Sequence, residues 1–389
     1  MKKVLRIVNR FNLGGPTFNA AYLTKYLAPE FETLLIGGEK TDSEESSEFI
    51  LQQLGVNYRK IEAMSREISL LNDYKAYKEI KQIIREFKPD IVHTHASKAG
   101  LLGRLAAKHS GVKVVVHTFH GHVFHSYFGT LKTNIFKSLE RYLARKSNII
   151  IAISNKQKNE LANEHKIAAE NKFKVVPLGF DLARFTNITA EQRHNFRQKY
   201  NITDKQITIT IVGRLVPIKD HKLFINSIKQ LKAKTDKQIR VFIVGGGELY
   251  NELIDYTKSV GLTATENTDV ADINFTSWIK ETEWVYAGSD MIALSSLNEG
   301  TPVSLIEAQA SGKPITSTKV GGVEDIVIDG KTAVLCQNTV DSFTNAMLEI
   351  IENYSQYLQN SQENINLVSE KFSYNRLVTD VRKLYNEII

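Results

Sequence analysis

The feature that most restricts the fold is a regular alternation of short apolar runs with longer segments of helical periodicity. Residues 4–9, 33–36 and 91–94 have the length and residue types of buried strands. The segments between them have apolar residues at helical spacing, and the longest, 73–87, stops before Pro89. Strands separated by crossover helices form parallel sheets, so this pattern predicts an α/β fold with a doubly wound sheet.

The same alternation starts again near residue 207. Its predicted strands are residues 207–212, 239–245, 273–276 and 291–294. The polar segment 178–206 separates the two runs, and 339–389 has a helical pattern throughout. A chain of 389 residues is long enough for two cores. We therefore predict two Rossmann-like parallel-sheet domains facing a cleft, with boundaries at 1–182 and 183–371, and expect the ligand between them.

Composition excludes several classes of protein. The single cysteine, Cys336, rules out an internal disulfide and fits a reducing compartment. The basic start, MKKVLRIVNRF, has a short apolar run interrupted by Arg6, which suits a first strand better than a signal peptide. No apolar run approaches the ~20 residues that span a bilayer. These features predict a cytoplasmic protein.

The net charge of +7 is unevenly distributed. The excess of Lys and Arg falls in the first half, and Glu140 is the only acidic residue within 91–159. This asymmetry predicts an anionic surface or ligand near that half. A nucleic-acid partner is not expected, because no recognisable nucleic-acid-binding module accompanies the basic excess.

Two carboxylates, Glu299 and Glu307, lie eight positions apart in the stretch NEGTPVSLIEAQASGKP. Gly300 permits an unusual turn, and Pro302 suits the start of a helix. We predict that helix over residues 303–310. Glu299 then lies in the loop before the helix, and Glu307 lies more than one turn inside it.

The start of this helix leaves the amides of Thr301, Val303 and Ser304 without intrahelical partners. A helix N-terminus carries partial positive charge and suits a phosphate. The stretch therefore predicts a loop-plus-helix site for a phosphorylated ligand, with two carboxylates that accept hydrogen bonds from its hydroxyls. The alternative is a surface helix with two solvated glutamates.

Arg214 and Lys219 follow the predicted strand 207–212, at the end where ligands of parallel sheets bind. Arginine pairs bidentately with phosphate, and lysine acts as a point charge. Because the Glu299 loop follows another strand of the same domain, we expect both loops to face the same cleft. A solvated loop is the alternative.

Glycines follow two predicted strands. Gly14 and Gly15 end the first strand, where they permit either close approach to a ligand or an ordinary tight turn. The triplet 245–247 lacks the third glycine of a dinucleotide fingerprint, because residue 250 is Tyr250, and lacks the Gly-Lys-Ser/Thr of a P-loop.

Histidines are dense between residues 93 and 125. They are His93, His95, His117, His120, His122 and His125. No cysteine or carboxylate accompanies them, so we predict no metal site. His120, beside Gly121 just past a strand end, is the candidate that faces the cleft. The chain also lacks an Asp-x-Asp pair and the Gly-x-Ser-x-Gly of a hydrolase.

Together these motifs resemble the retaining glycosyltransferases of the two-Rossmann-domain (GT-B) architecture, in particular glycosyltransferase family 4. Glu299 and Glu307 are similar to the family's Glu-x7-Glu signature, and Arg214 with Lys219 to its diphosphate clamp. Gly14-Gly15 resembles its N-terminal glycine loop. The segments DIVHTHASKAGLLGRLAA and VVHTFHGHVF resemble a bacterial subgroup linked to surface-polysaccharide assembly.

The chain departs from many members of this family in two places. Leu178 stands in VVPLGFD where many relatives have asparagine, and the loop 263–272 is longer than usual near the expected base pocket.

The resemblance implies how a donor would be bound. Glu307 would bind the ribose hydroxyls of a sugar nucleotide, and Glu299 the hydroxyls of the donor sugar. Arg214 and Lys219 would neutralise the diphosphate leaving group, and the backbone near Ile279 would meet the base. The remaining donor-binding residues implied by the resemblance are Gly14, Gly15, Gly300, Thr301, Pro302 and Val303.

The resemblance also assigns His120 to the donor sugar, where it would stabilise the reacting geometry. The C-terminal helix, 372–389, would pack back on the first domain, which binds the acceptor, while the second domain binds the nucleotide sugar. We therefore predict a metal-independent, cofactor-free, retaining hexosyltransferase that moves a sugar from a UDP-sugar to a lipid-linked or glycan acceptor.

Two alternatives stay open. A sugar-nucleotide epimerase of the same fold would turn over the sugar nucleotide without an acceptor. A basic nucleic-acid-binding protein would show salt-sensitive binding to DNA.

The segment 123–146 suggests peripheral contact with an anionic membrane. Lys132, Lys137, Arg141, Arg145 and Lys146 flank an apolar stripe of Leu131, Ile135, Leu139, Tyr142 and Leu143. The upstream aromatic residues are Phe124, Tyr127 and Phe128. The alternative is that the stripe packs on the sheet and the basic side chains are solvated. Membrane contact would place the protein at the inner face of the cell membrane.

Overall fold

The computed structural model describes residues 1–12, 15–40, 46–65, 67–121 and 130–389. These residues divide into two compact units. Unit 1 comprises Met1–Phe180 and Phe372–Ile389, and unit 2 comprises Asp181–Lys371. Each unit has its own parallel sheet and its own buried core, so the predicted α/β class with two parallel sheets is confirmed.

Unit 1 has, in the part of the chain described, a seven-stranded parallel sheet. Its strands are β1 (Lys2–Arg10), β2 (Phe31–Gly38), β3 (Tyr58–Lys60), β4 (Ile91–His95), β5 (Val114–Phe119), β6 (Ile149–Ala152) and β7 (Phe173–Val175). The intervening helices are α1 (Gly15–Tyr26), α2 (Glu48–Gln53), α3 (Leu70–Phe87), α4 (Ser97–His109), α5 (Thr130–Ala144) and α6 (Asn155–Asn159), the last continued by a π-helical turn (Glu160–Glu164). The strand order β3-β2-β1-β4-β5-β6-β7 reverses its direction of winding between β1 and β4.

Unit 2 repeats this architecture, again with seven strands among the described residues. Its strands are β8 (Gln206–Val212), β9 (Gln238–Val244), β10 (Ala264–Thr265), β11 (Ile273–Phe275), β12 (Met291–Leu294), β13 (Ile315–Thr318) and β14 (Ala333–Cys336). Its helices are α7 (Ala183–Thr186), α8 (Ala190–Lys199), α9 (His221–Lys234), α10 (Tyr250–Ser259), α11 (Thr282–Gly288), α12 (Val303–Ala310), α13 (Val340–Glu352), α14 (Tyr354–Gln359) and α15 (Ser361–Phe372). The order β10-β11-β9-β8-β12-β13-β14 reverses between β8 and β12. In open sheets of this kind, ligands bind at the carboxyl ends of the strands that flank the reversal.

The last helix, α16 (Tyr374–Ile388), packs in unit 1 although its sequence follows that of unit 2. Its apolar side chains recur every three or four positions, which places them on one face. They are Leu377, Val378, Val381, Leu384 and Tyr385, and all are buried in the cluster that includes Val4, Phe31 and Ile91. Burial of each such side chain contributes about 2 kcal/mol, so α16 is a major part of the unit 1 core.

Helix α5 departs from the predicted amphipathic pattern. Leu143 is fully buried, but Ile135 is 60% exposed and Tyr142 is 48% exposed. A buried ion pair accounts for this exposure. Arg104 on α4 pairs with Glu140 of α5, with Nη2 and Oε2 2.7 Å apart. A buried guanidinium needs such a partner, so α5 turns Glu140 inward and leaves part of its apolar stripe outside.

The upstream part of the predicted membrane segment, including Phe124, Tyr127 and Phe128, lies outside the described residues. Among the residues that the structure does describe, no helix is both long enough and apolar enough to cross a bilayer.

Candidate functional site

Two loops of unit 2 meet where the sheet reverses its winding. The loop after β8 ends in a short 3-10 turn, Pro217–Lys219, and the loop after β12 leads to α12. Ile218 and Leu297 join the two loops by a backbone hydrogen bond of 2.8 Å. Ser295 Oγ donates to the carbonyl of Lys219 at 2.8 Å. The sheet order therefore brings two segments that are distant in sequence to one edge.

Lys219 and Glu299 form an ion pair at this edge, with Nζ and Oε1 2.5 Å apart. Ser296 Oγ donates to the same carboxylate oxygen at 2.6 Å. Both side chains are mostly buried, at 20% exposed for Lys219 and 11% for Glu299. Because both donors use Oε1, Oε2 has no partner within the described part of the chain. The site thus presents a fixed cation and a free acceptor side by side.

Arg214 lies on the same β8 loop and is exposed. Its side chain makes no ion pair or hydrogen bond with any residue that the structure describes. The loop backbone is nevertheless firmly supported, because Leu215 donates to the carbonyl of Gly246 at 3.0 Å. A Cβ on Gly245 would lie 1.9 Å from the carbonyl oxygen of Gly213. The glycine triplet that matches no nucleotide motif therefore has a packing role: it lets the Arg214 loop lie close to β9.

Two other glycines, Gly321 and Gly322, allow close packing against the Glu299 backbone. Gly322 donates to the Glu299 carbonyl at 3.0 Å, and a Cβ on Gly321 would lie 1.8 Å from that carbonyl oxygen. Gly321 also has a φ of +52°, which favours glycine. Sequence reasoning missed this pair. The available signal was the Gly-Gly pair itself, which follows shortly after the short run that forms β13.

Helix α12 spans Val303–Ala310, the predicted residues, and Pro302 is its N-cap. No side chain among the described residues caps this N-terminus, and Glu299 and Gly300 lie in the loop before it. An uncapped helix start next to Lys219 suits an anionic group.

Glu307 lies on the second turn of α12 and is hydrogen-bonded to Tyr286, a residue that the sequence analysis did not single out. Tyr286 of α11 donates its hydroxyl to Glu307 Oε2 at 2.8 Å and approaches the carbonyl of Ser304 at 3.2 Å. Burial raises the pKa of Glu307 to about 7, while the Tyr286 hydrogen bond and the charge of Arg184 oppose that shift. Burial likewise raises the pKa of Tyr286 well above its usual value, so the phenol remains a donor. Near neutral pH the Glu307 carboxyl is therefore close to its midpoint of ionisation.

Ile279 lies in the loop between β11 and α11 and is partly exposed. This loop contacts the glycine triplet: Gly245 donates to the Ser277 carbonyl at 2.9 Å, and a Cβ on Gly246 would lie 2.9 Å from Trp278 Nε1. The triplet thus contacts both the Ile279 loop and the Arg214 loop.

The candidates from the first half of the chain lie in unit 1. Gly14, His122 and His125 are outside the described residues. Gly15 is the first residue of α1, and His120 follows β5. His120 Nε2 is 2.8 Å from His95 Nδ1.

The other histidines of β4 and β5 are buried and hydrogen-bonded. His93 Nε2 pairs with the Thr118 hydroxyl at 2.7 Å, and His117 Nδ1 pairs with the Thr94 hydroxyl at 2.8 Å. Burial lowers the pKa of His93 and His117 well below the usual value, so these rings are neutral. Across the described ranges, no group of three or more His, Cys, Asp or Glu side chains could hold a metal ion.

A small cavity of about 10 Å³ adjoins this cluster. Its lining includes Asn19, His95, His120 and Leu178, the residue that departs from the family pattern. Such a volume accommodates about one water molecule and no sugar ring.

Comparisons with known proteins give matches to both halves of the chain. A family model described as Glycosyltransferase Family 4 matches residues 13–184, and one described as Glycosyl transferases group 1 matches residues 192–366. The chain is 30% identical over 333 residues to an Escherichia coli UDP-Gal:alpha-D-GlcNAc-diphosphoundecaprenol alpha-1,3-galactosyltransferase, across 85% of this chain and 83% of the relative. It is 26% identical over 335 residues to the capsular polysaccharide biosynthesis glycosyltransferase CapM of Staphylococcus aureus, across 84% of each chain.

A solved structure also matches the fold of this chain. The crystal structure of Anabaena Alr3699/HepE in complex with UDP superposes with a TM-score of 0.82 at 18% identity and covers 100% of both chains. With the sequence matches, this similarity shows that the chain is a glycosyltransferase of the GT-B architecture and belongs to glycosyltransferase family 4.

Proposed function

We propose that this glycosyltransferase moves a sugar from a UDP-sugar to a lipid-linked or glycan acceptor in surface-polysaccharide synthesis, with retention at the anomeric carbon and without a metal ion. Two comparisons favour this substrate class. The Escherichia coli relative uses UDP-Gal and a diphosphoundecaprenol-linked acceptor, according to its name, and the Anabaena structure contains UDP.

The observation that supports the proposal most directly is the arrangement at the reversal of the unit 2 sheet. Lys219 supplies a fixed cation, Arg214 supplies an exposed one from the same loop, and the uncapped start of α12 follows Glu299. Cleavage of the anomeric bond leaves negative charge on the diphosphate. Cations and amides that are already in place stabilise that charge as it develops in the transition state.

The remaining unit 2 residues have roles in holding the donor. Glu299 accepts from the sugar hydroxyls through its free Oε2, and Glu307 accepts from the ribose hydroxyls. Gly300, Thr301, Pro302 and Val303 bring backbone groups to the sugar and the phosphates. The backbone at Ile279 meets the base, next to a loop that the glycine triplet positions.

Unit 1 has the acceptor-side role in this proposal. Gly14, Gly15 and His120 are the residues of the first half assigned to sugar binding in this proposal. The α5 region contacts an anionic membrane through Ile135, Tyr142 and neighbouring basic residues, which brings the enzyme to a lipid-linked acceptor at the inner face of the cell membrane.

The test is a thermal-shift screen of the intact protein against a panel of sugar nucleotides, followed by a transfer assay with a polyprenyl-diphosphate-linked sugar. A donor at ~100 times its dissociation constant stabilises a protein by about 2.7 kcal/mol, which is readily measured. We expect UDP-sugars to stabilise the protein and the product to keep the donor's anomeric configuration by NMR.

Three results would contradict the proposal. Stabilisation by another nucleotide class alone would reject UDP, and an inverted product would reject retention. Conversion of the sugar nucleotide without any acceptor would favour an epimerase.

A further inference from the structure

A chain of hydrogen bonds leads from a buried arginine in unit 1 to His120. Arg6 lies on β1 and is fully buried. Its Nη1 is 2.9 Å from His93 Nδ1 and 3.2 Å from His95 Nε2, and its Nη2 donates to the Tyr385 hydroxyl at 3.2 Å. His95 Nδ1 is in turn 2.8 Å from His120 Nε2.

The chemistry of arginine determines which atom donates and which accepts in this series of hydrogen bonds. A guanidinium has only donors and does not lose its proton in proteins. His95 Nε2 must therefore accept the hydrogen bond from Arg6, so it carries no proton. A neutral imidazole has one protonated nitrogen, which places the His95 proton on Nδ1.

The same logic extends one ring further. His95 Nδ1–H donates to His120 Nε2, which must then be the unprotonated nitrogen of that ring. We infer that Arg6, acting through His95, fixes His120 in the tautomer that is protonated at Nδ1.

Two further observations describe the state of these rings. His120 Nδ1 is buried and has no hydrogen-bond partner among the described residues, so it is the ring's one uncommitted polar atom. Burial also lowers the pKa of His95 well below its usual value and that of His120 to about 4, which keeps both rings neutral at physiological pH.

The fixed tautomer determines what His120 can do. Its lone pair already accepts from His95, so it cannot take a proton from a substrate hydroxyl while that bond exists. It can donate only from Nδ1, so a ligand atom that reaches Nδ1 must be an acceptor oxygen, such as that of a sugar hydroxyl or a phosphate. Arg6 and His95 are positioning residues. That the oxygen belongs to the donor sugar rests on the proposed function, whereas the tautomer does not.

The first experiment reads the tautomer directly. Long-range 1H–15N correlation spectra of the 15N-histidine-labelled full chain, without nucleotide, show which ring nitrogen is protonated, and loss of one signal set in His120→Asn assigns His120. We expect protonation at Nδ1 alone in the wild type. Arg6→Met should release the constraint, so that Nε2-protonated forms of His95 and His120 appear.

A matched control removes a different buried guanidinium. Arg240 in unit 2 is also almost fully buried and donates to Asn274 at 3.0 Å, far in sequence from the histidines. Arg240→Met should lower stability comparably and leave the His120 signals unchanged. A wild-type His120 protonated at Nε2, or one that Arg6→Met does not alter, overturns the inference. If Arg6→Met does not fold, the wild-type spectrum alone decides.

The second experiment uses two amides that imitate the two ring nitrogens. The Asn side-chain nitrogen lies where Nδ1 lies, and the Gln nitrogen lies where Nε2 lies. His120→Asn should therefore retain about tenfold more transfer than His120→Gln, because it keeps the donor in place. Equal loss in both, or greater activity in Gln, contradicts donation from Nδ1. If no donor supports transfer at all, the proposed function fails while the spectra still test the tautomer.

Discussion

Lys219 and Glu299 form a mostly buried ion pair with 2.5 Å between Nζ and Oε1, although 80 positions separate them in the chain. The pair holds the lysine ammonium at the edge of the unit 2 sheet, and Ser296 donates a second hydrogen bond to the same carboxylate oxygen. A diphosphate at this edge would be a second anion for the same ammonium. The two side chains therefore cannot be treated as independent in any mutational test.

Removal of either cation should lower turnover. We expect Lys219→Ala and Arg214→Ala each to reduce kcat on the order of 10²-fold, as does loss of one preorganised transition-state donor. Lys222→Ala is the matched control, because Lys222 is nearby on α9 but exposed and paired with Glu252. Steady-state kinetics decide the point, and near-normal kcat for Lys219→Ala or Arg214→Ala would remove that residue from the diphosphate site.

The two glutamates should differ in calorimetry with free UDP. Glu307→Gln should weaken binding, because the amide is a poorer acceptor for the ribose hydroxyls. Glu299→Gln should leave the affinity unchanged or slightly increased, because it frees Lys219 from its ion pair, while transfer falls. Equal losses of affinity in both variants would show that the assignment of ribose and sugar is wrong.

Nucleotide affinity should depend on the ionisation of Glu307. Burial raises its pKa from 4.5 to about 7, and only the ionised carboxylate accepts from both ribose hydroxyls. Affinity should therefore fall by about tenfold as the pH drops from ~8 to ~6. The UDP phosphate titrates in the same range, so the informative quantity is the difference between wild type and Glu307→Gln. Parallel pH profiles would contradict the role of Glu307.

Ionisation of Glu307 should affect the free energy of unfolding in the opposite sense to nucleotide affinity: stability should fall as the pH rises. A raised carboxyl pKa contributes stability below the unfolded value of 4.5, and this contribution is lost as the pH rises through about 7. Glu307→Gln removes that loss, so its stability relative to wild type should increase with pH over this window. Urea unfolding at several pH values measures it, and a constant difference would show that Glu307 titrates normally.

Activity should persist in an excess of EDTA. The described residues include no cluster suited to a metal ion, and Arg214 and Lys219 are available to neutralise the diphosphate. Loss of activity in the chelator, with rescue by a divalent cation, would show instead that a metal ion supplies this charge.

Membrane contact through α5 should be selective for anionic lipid. Arg141 donates to the carbonyls of His165 and Lys166, so its replacement would disturb the fold. The better variant changes Lys137, Arg145 and Lys146 to Glu. It should lose co-sedimentation with anionic vesicles at low salt, because each basic residue contributes ~1 kcal/mol.

The control for this experiment has the same charge change in unit 2, at Lys205, Lys229 and Lys237, which are exposed. It should bind as the wild type does. Equal binding of wild type to anionic and neutral vesicles, or none to either, would contradict membrane contact.

Much of the fold followed from periodicity, because long apolar runs and amphipathic helices determine burial locally. Helix α12 has the predicted bounds, and α6 begins at a typical capping residue, since Ser154 accepts from the Gln157 amide. The edge strands β7, β10 and β14 were missed because two to four residues are too few for a periodic pattern. Helices α7 and α8 were missed in the polar segment 178–206, although Thr189 and Gln192 form a capping box there.

The site was harder to predict because its contacts depend on strand order. Nothing local to Tyr286 shows that it meets Glu307, and nothing in the glycine triplet shows which loop lies against it. Arg6 is the clearest case. In the sequence it only interrupts an apolar run, whereas in the structure it is buried at the start of the histidine chain.

The position of α16 in the chain has a consequence for synthesis. Unit 2 is continuous in sequence, so it can fold while the ribosome is still translating. Unit 1 cannot complete its core at that stage, because Val381, Leu384 and Tyr385 are translated after the whole of unit 2. Until then the surfaces around Val4 and Phe31 lack the part of their cover that α16 supplies, and apolar surface exposed in this way favours aggregation of a nascent chain. Unit 1 is therefore the first unit to leave the ribosome and the last to complete its core.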